Sequence, residues 1–570
     1  MPLSFRRFLQ LLVSVLPLSA AMAPSIWAAG FDDAPSPGVK TRPIDVKWEY
    51  STDGGKTFGE KPPEGAPPNM KVGIAPRAFR GTFEIADPKA VAGLWIRILA
   101  KQTSESKPAI CTGDLIAASG GYWKDLGHCP TLLNARALLN GKQVPVMNGP
   151  MLYFWLPLEG PLAQGKNTIE LSGDCYTYWG SPAAEALTAS LIAAEPQPAS
   201  IYGGPVLGDF GDGYFTVSFR TQLPADVVIE ATPTTPPGKG ITVASSHKIW
   251  HRLKVQLPPG TKAASYTLKS TVGTHETTRG PFTMVFPEKE FRFVAVGNLL
   301  SHRIQAERLK MIADRVIAMK AALVVDAGNM SEHASWDHDW ERRYFEPAGK
   351  MTATIPTLFT PAHRDFAGII QEIHYTPAQD TFSHNWSKVV GPVRFIGLDG
   401  TQTWKPDGEN TKWLEQELKG AREKFLFVLN AFPAFSSGGH SKKPYPALVQ
   451  SREVIMPLLA KYHASALISG NDTDYERCEP TPDAGCTQIV IGCSGKEVSR
   501  FSGPAIGRNP FARDKGREWA GAEQTRAILV FDVKDSAVEM RCLEMPDDPA
   551  RMDEKDLRLL DTKIFQPRKN

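Results

Sequence analysis

Between about residue 40 and residue 288 the chain alternates apolar and polar positions in short runs. Phe79, Phe83 and Ile85, then Leu94, Ile96 and Ile98, mark the first stretch. Phe215, Val217 and Phe219, then Leu253, Val255 and Leu257, then Tyr266 and Leu268 mark the second. A period of two puts one side of each run in a core and the other in water, which predicts β-sandwiches with Asn140-Gly141 and Pro258-Pro259-Gly260 as turns. From Phe291 to about Met545 the pattern changes: the apolar runs FRFVAV, AALVVDA, IPTLFT, KFLFVL and ASALIS alternate with amphipathic stretches. Runs without a polar side predict buried strands flanked by helices. Arg303 to Lys320, through Ile304, Met311, Ile312 and Ile317, and Ala447 to His463 are the predicted helices, and Thr525 to Val533 and Val538 to Leu543 further strands. The charged stretch after Pro546 predicts a frayed or loosely docked tail.

At 570 residues the chain is too long for one core, and ordinary domain sizes imply about three or four units. The 64 basic and 61 acidic residues, net +3, are mixed along the sequence without a basic block, so nucleic acid is not an implied partner. Arg6-Arg7, the apolar run Phe8 to Leu18 and small residues through Ala29 form a secretory signal. The expected product is exported, periplasmic or extracellular, and begins between Ala21 and Gly30. The Arg pair also hints at twin-arginine export, although Gln10 interrupts the apolar run behind it. No later segment reaches the roughly 18 apolar residues of a membrane span.

Seven cysteines in an exported chain suggest disulfides with one residue left over. Cys478 and Cys486 flank a short Pro-rich loop and are candidates for a bridge; Cys493 and Cys542 sit near neighbouring predicted strands; Cys111, Cys129 and Cys175 share the first unit. The spacing does not fix the pairing. A cysteine metal site lacks the C-x-x-C spacing it would need.

Five loops follow the apolar runs of the C-terminal half: Gly297-Asn298-Leu299-Leu300, Gly328-Asn329, Pro361-Ala362-His363-Arg364-Asp365, Asn430-Ala431-Phe432-Pro433, and Gly470-Asn471-Asp472-Thr473-Asp474-Tyr475-Glu476-Arg477. In order and spacing they resemble the calcineurin-like metallophosphoesterases, in particular the purple acid phosphatase branch. That family's pattern is G-D-x-H or G-D-x-G, then G-D, G-N-H-[ED], H-x-P and G-H-x-H-x-Y-E-R. Trp413-Leu414-Glu415-Gln416-Glu417-Leu418 resembles its W-L-x-x-E-L helix and Pro433 to Gly438 its P-x-Y-S-S-G loop.

The resemblance places metal ligands where this chain has other residues. Asn298 and Leu300 stand in the first motif, Asn329 replaces the bridging aspartate, Ala362 the asparagine of G-N-H, Ala431 the histidine before the proline, and Asn471 and Thr473 the last two histidines. His363 is retained, at a position the family uses as an acid or charge stabiliser; without a metal it is read instead as bonding a loop backbone. Two dications about 3.5–4 Å apart need anionic carboxylates and neutral imidazoles around them, and with both gone iron, zinc and manganese lack a suitable first shell. No cofactor is therefore expected, where the family would use two metal ions such as Fe, Zn or Mn.

A relocated site would use His363 with Asp326, Asp365 or Asp472, or with the stretch Glu332 to Trp340, which packs His333 and His338 among three acids. That stretch, leading to Arg343-Tyr344-Phe345-Glu346-Pro347, reads otherwise as a solvated helix start, since neighbours in sequence do not face one another on a helix. His302, His440 and His463 read as loop or surface histidines.

Ala137 to Val144, Pro157-Leu158 and Gly165 to Leu171 look like a galactose-binding-like jelly roll, and residues 196–288 resemble the fibronectin-like domain that precedes the catalytic domain in purple acid phosphatases. Trp95, Trp123, Trp155 and Trp179 could stack on a sugar, or fill the core. The expected architecture is multidomain β plus α/β: signal 1–29, jelly-roll β-sandwich 30–195, fibronectin-like β-sandwich 196–288, four-layer α/β/β/α metallophosphoesterase-like domain 289–546 and tail 547–570. The five loops should gather at strand ends, where a pocket is expected to persist.

Three functions compete. One is a secreted, catalytically degenerate phosphatase-like protein that acts through binding. Another is an active phosphoesterase with a rebuilt metal site. In the last, a carbohydrate-associated envelope protein uses its jelly roll, with a glycan or envelope component as partner.

Overall fold

The computed structural model describes residues 38–63, 73–101, 106–108, 131–144, 156–158, 160–177, 186–299, 305–330, 341–362, 365, 385–400, 402–436, 438, 445–478, 486–495, 525–548, 550–551 and 553–568. Leu300, His363 and the 332–340 stretch lie outside these residues, as do Trp123, Trp155 and Trp179.

The N-terminal part is built of two five-stranded sheets. One holds β1 (Thr41–Ile44), β4 (Gly93–Lys101), β5 (Ser106–Pro108), β8 (Leu156–Pro157) and β10 (Ala186–Ala194). The other holds β2 (Lys47–Ser51), β3 (Gly73–Ile85), β6 (Thr131–Leu139), β7 (Lys142–Val144) and β9 (Gly165–Thr177). Phe79, Phe83, Ile169 and Leu171 of the second sheet share a core with Leu94, Ile96, Ile98, Leu187 and Leu191 of the first, so the predicted alternation is the burial pattern. Trp95, at 2% exposed, belongs to the core rather than to a sugar-stacking surface.

A further five-stranded sheet follows: β11 (Ile201–Gly211), β12 (Tyr214–Thr235), β13 (Ile241–Gln256), β14 (Ala263–Val272) and β15 (His275–Val285). Along β14 every second residue is buried, among them Tyr266 and Leu268. This sheet is fastened to the C-terminal part by Tyr266 Oη donating to the Ala353 carbonyl (2.7 Å), Thr352 Oγ1 donating to the Pro205 carbonyl (3.0 Å), and Lys388 Nζ on Asp209 (2.6 Å).

Two six-stranded sheets form the C-terminal part. The first runs β18 (Thr357–Phe359), β17 (Leu323–Asp326), β16 (Phe291–Val296), β25 (Ala527–Val533), β26 (Val538–Glu544), β27 (Leu559–Phe565). The second runs β19 (Trp386–Val390), β20 (Val393–Leu398), β21 (Phe425–Asn430), β22 (Ala466–Ser469), β24 (Thr487–Ile491), β23 (Tyr475–Cys478). Pairings β16–β17–β18 and β20–β21–β22–β24 are parallel, which is why β17, β21 and β22 are buried at every residue. Between the sheets Phe293 stacks on Phe531 at 4.3 Å and meets Phe395 edge-on at 5.1 Å.

Helix α1 (Gln305–Ala318) buries Leu309, Ile312, Ala313 and Val316 against the first sheet, in one cluster with Ala348 and Met351 of α2 (Glu346–Thr352). Helix α3 (Glu409–Gly420) buries Leu414 and Leu418 against the second sheet. The expected core positions Met311 and Ile317 are partly exposed, so the helix is turned by about a third of a turn from the phase read in the sequence. The stretch expected as one helix from Ala447 to His463 is divided into α4 (Pro446–Gln450), a π-helical turn (Ser451–Ile455) and α5 (Met456–Lys461). Pro457 lacks the N–H that would continue the α-helical ladder and its ring crowds the preceding turn.

The tail is not loose. Arg315 of α1, 1% exposed, donates to three carbonyls of the returning chain, those of Arg551 (3.0 Å), Pro546 (2.8 Å) and Asp548 (2.7 Å), and β27 then pairs along β26.

One titrating group is built into the second unit. His251 on β13 is 3% exposed and stacks on Phe219 at 5.0 Å. Burial pushes its imidazole down to about 4. The unfolded chain takes up a proton near pH 6.5 that the folded chain refuses until about pH 4, so stability is present above pH 6.5 and declines as the pH falls through that window. Denaturant titrations across it should lose on the order of 3 kcal/mol in the native chain, and His251→Gln should flatten that part of the profile. Parallel profiles for the two proteins would exclude His251 as its source.

Candidate functional site

The parallel strands deliver the five loops to one edge. β16 and β17 end level with each other, Val296 opposite Asp326, and Asn430 at the end of β21 is opposite Ser469 at the end of β22. Close approach of the two sheets here depends on glycine. A Cβ on Gly470 would meet the Ala327 carbonyl at 2.6 Å, and one on Gly297 the Ile491 carbonyl at 2.8 Å. The residues after Gly297, Gly328 and Gly470 all have left-handed backbones: Asn298 at φ 50, Asn329 at φ 57 and Asn471 at φ 62. Asparagine tolerates that conformation better than most side chains.

These three asparagines meet. Asn298 Nδ2 donates to the carbonyls of Asn471 (3.0 Å) and Gly492 (2.8 Å), Asn329 Nδ2 donates to Asn471 Oδ1 (3.2 Å), and the Asn298 N–H donates to the Gly328 carbonyl (2.9 Å). Three loops far apart in sequence are thereby joined. Beside them Ala362 and Ala431 form a small apolar cluster with Phe432 and Leu448, and a Cβ on Gly328 would touch both alanines, at 3.0 and 3.2 Å.

Asn298, Asn329, Ala362, Ala431, Asn471 and Thr473 are each between 0% and 6% exposed. The structure therefore places six of the eight expected site residues in buried positions near the ends of the parallel strands. Leu300 and His363 are outside the described residues.

The donor set is poor for metal. Asn298 Oδ1 and Asn329 Oδ1 are buried without hydrogen-bond partners, but both are neutral amide oxygens, and the same side chains use their N–H groups on each other and on backbone. Among the described residues no three His, Cys, Asp or Glu side chains are grouped as a metal ion requires. These residues do not fit a dinuclear metal centre.

Of the acids considered for a relocated site, Asp365 serves the backbone. Its carboxylate accepts from the N–H groups of Asn329 (2.6 Å), Met330 (2.7 Å) and Ala362 (3.0 Å), holding two of the five loops together. Asp326, fully buried behind them, accepts from the Gly328 N–H at 2.8 Å. Burial, and then the neighbouring Asp365, hold its carboxyl well above the usual range. Asp472 pairs with the Ser436 hydroxyl.

The end of the last motif has a partner that the sequence did not disclose. Tyr475 Oη (2.7 Å) and Arg477 Nε (2.7 Å) both donate to Asp561 Oδ2, and Arg477 Nη2 reaches Oδ1 at 3.1 Å. Asp561 lies on β27, so the motif ties an edge strand of one six-stranded sheet to an edge strand of the other. Burial alone would raise the Asp561 carboxyl, yet the bonds from Arg477 and Tyr475 outweigh it and hold the group below its ordinary range.

The candidate bridge between Cys478 and Cys486 is not formed; both thiols are buried, as are those of Cys493 and Cys542. Cys478 stands opposite Gln488, which leaves Cys486 on the diagonal. Diagonal neighbours lie about 7–8 Å apart, wider than the roughly 4.4–6.8 Å between Cα atoms that a disulfide spans.

Replacing Asp561 by Ala would strand Arg477, whose side chain is 6% exposed, and should lower unfolding stability by about 3 kcal/mol, with hydrogen exchange along residues 559–565 rising first. A loss below about 1 kcal/mol, the range of exposed pairs, would mean that the clamp does not hold the tail.

No family model and no curated protein matches the chain. Among solved structures, a purple acid phosphatase, PPD1 from yellow lupin (Lupinus luteus) seeds, matches over 92% of this chain and 96% of its own, with a TM-score of 0.54 and 12% identity. PhoD matches over 63% and 92%, with a TM-score of 0.41 and 12% identity. A dimetal phosphatase from Danio rerio matches over 49% and 99%, with a TM-score of 0.33 and 10% identity. At such identities the likeness speaks for the fold alone, and this sheet-rich chain has a metallophosphoesterase-like fold.

Proposed function

We propose that this protein is a catalytically degenerate member of the phosphatase-like fold, which has given up two-metal hydrolysis and acts through binding. The observation that carries the reading is the bonding of Asn298, Asn329 and Asn471 to one another and to backbone, with Ala362 and Ala431 packed alongside. Amide oxygens bring no charge to offset the repulsion of two dications, and methyl groups bring no lone pairs. The secretory signal read in residues 1–29 supports export, and no helix among the described residues is long and apolar enough to cross a membrane. Helices α1 and α2 lie on one six-stranded sheet and α3 and α5 on the other, in keeping with the four-layer arrangement of residues 289–546.

A feature of the N-terminal part favours it as the binding element, in keeping with the jelly-roll reading of residues 30–195. A hollow of about 440 Å³ opens where the chain passes from β1 to β2, lined by Asp45, Trp48, Arg97 and Ser190 among others. Ser190 Oγ is buried there with no partner. An indole beside acidic, basic and hydroxyl groups suits a polar ring such as a glycan unit. Glycan-array binding by the whole protein, weakened about tenfold or more by Trp48→Ala, is the expected result; a blank array removes the glycan reading without touching the pseudoenzyme one.

The decisive experiment on the main reading is elemental analysis of the purified protein beside a phosphomonoester assay with added Zn²⁺, Mn²⁺ or Fe. Expected are substoichiometric metal and no metal-dependent turnover from pH 4 to 9. Two tightly held ions per chain with metal-dependent hydrolysis would overturn it and restore the rebuilt-site alternative.

A further inference from the structure

The last of the five loops holds more than its asparagine. Asn471 to Asp474 form a bend, with Asn471 left-handed at φ 62 and the Asp472 N–H donating to the Gly470 carbonyl at 2.8 Å, before β23 begins at Tyr475. Asn471 enters the asparagine network and Tyr475 the core between the sheets. The same stretch carries three buried acids, Asp472 at 1% exposed and Asp474 and Glu476 at 0%.

Asp474 stands apart. Both of its carboxylate oxygens are buried and neither has a hydrogen-bond partner. Packed against it are Gly438, whose missing Cβ would fall 2.4 Å from Asp474 Oδ2, the two acids on its own segment, and the Cys493 thiol beyond the end of β24. Arg477, the nearest base in the segment, is engaged by Asp561. Asp472, Asp474 and Glu476 are not grouped as a metal ion requires. A bare carboxylate in this setting would carry an uncompensated desolvation penalty of several kcal/mol.

We infer that Asp474 is carried as a neutral carboxylic acid and that its proton locks the loop 470–478 in the closed form. Loss of the proton places a charge between Asp472 and Glu476, and opening the loop to water relieves it, releasing Asn471 from Asn298 and Asn329. Burial, Glu476 and Asp472, in that order, act on the Asp474 carboxyl in the same upward direction. The sign follows from linkage. The closed form holds a proton that the open form gives up near pH 4, so closure is complete below that pH and weakens as the pH rises toward the closed-state value. The rim of the asparagine network is thereby a proton-sensitive gate, favoured shut in acid.

Hydrogen exchange by mass spectrometry on the full chain, corrected for intrinsic rates, reads the gate directly. In the native protein the opening of residues 471–478 should rise as the pH climbs above about 4, by up to about tenfold per pH unit, the slope of one released proton. In Asp474→Asn it should be flat. Strand β14 (Ala263–Val272), which lies outside the loop and carries no Asp or Glu, serves as the internal reference. Corrected exchange that is independent of pH in the native protein overturns the proposal without recourse to any variant, and so does a slope that persists in Asp474→Asn. Should Asp474→Asn fail to fold, Asp474→Ser takes its place.

Discussion

The position of the rim depends on Asn471. Its backbone carbonyl accepts from Asn298 and its side-chain oxygen accepts from Asn329, so one residue at the end of β22 holds loops that end β16 and β17. β16 and β17 belong to one six-stranded sheet and β22 to the other, and the bonds therefore join the two sheets at their loop end. Glycine at 297, 328 and 470 makes the approach close enough, and the left-handed backbone of the residue after each turns its side chain into the seam. Across that seam the amide N–H groups of Asn298 and Asn329 bond to backbone carbonyls and to the Asn471 amide oxygen, while Asn298 Oδ1 and Asn329 Oδ1 keep no partner.

The electrostatics of the surroundings changed in character without becoming apolar. Asp326, Asp365, Asp472, Asp474 and Glu476 are all nearly or fully buried around the rim. Asp365 is compensated by three backbone N–H groups and Asp472 by a hydroxyl. Asp326 has a single N–H, that of Gly328, on one oxygen and Asp474 has none, and both are driven toward the neutral form. Acids that receive N–H donors fix loops in place, whereas acids without them tie the stability of those loops to proton concentration.

How much of this the sequence disclosed depends on whether the signal was local. The alternation at 263–272 is visible because each residue of β14 answers to its own side of one sheet. The phase of α1 was less legible, because apolar residues occur on more than one face and Leu309, Ala313 and Val316 compete with Met311 and Ile317. The break in the helix after Ser451 was carried by Pro457, a signal present in the sequence and outweighed by the amphipathic pattern around it. β27 was not legible: LLDTKIF shows no clean alternation of burial, and it is a strand because Arg315 and the Tyr475–Arg477 pair, far away in sequence, hold the segment in place. For the site, the loop order located the residues. Their mutual bonding was invisible, since Asn298 and Asn471 are 173 residues apart and an amide has no preferred partner until the fold supplies one.

The uneven survival of the last motif follows from the same distinction. In Asn471 to Arg477 the positions that the resemblance assigns to metal carry Asn and Thr, whereas Tyr475 and Arg477 remain. The retained pair bonds Asp561 and not the rim, so its work is to hold β23 to β27. At the rim three asparagines supply the hydrogen bonds between the loops. Losing Arg477 would leave Asp561 on β27 with only the Tyr475 hydroxyl and the Thr562 N–H to offset its burial, and would remove the charged anchor of an edge strand. Tyr475 and Arg477 thus have a mechanical role in the bond to Asp561, and the chemistry of the rim must be judged on the side chains that stand at the other loop ends.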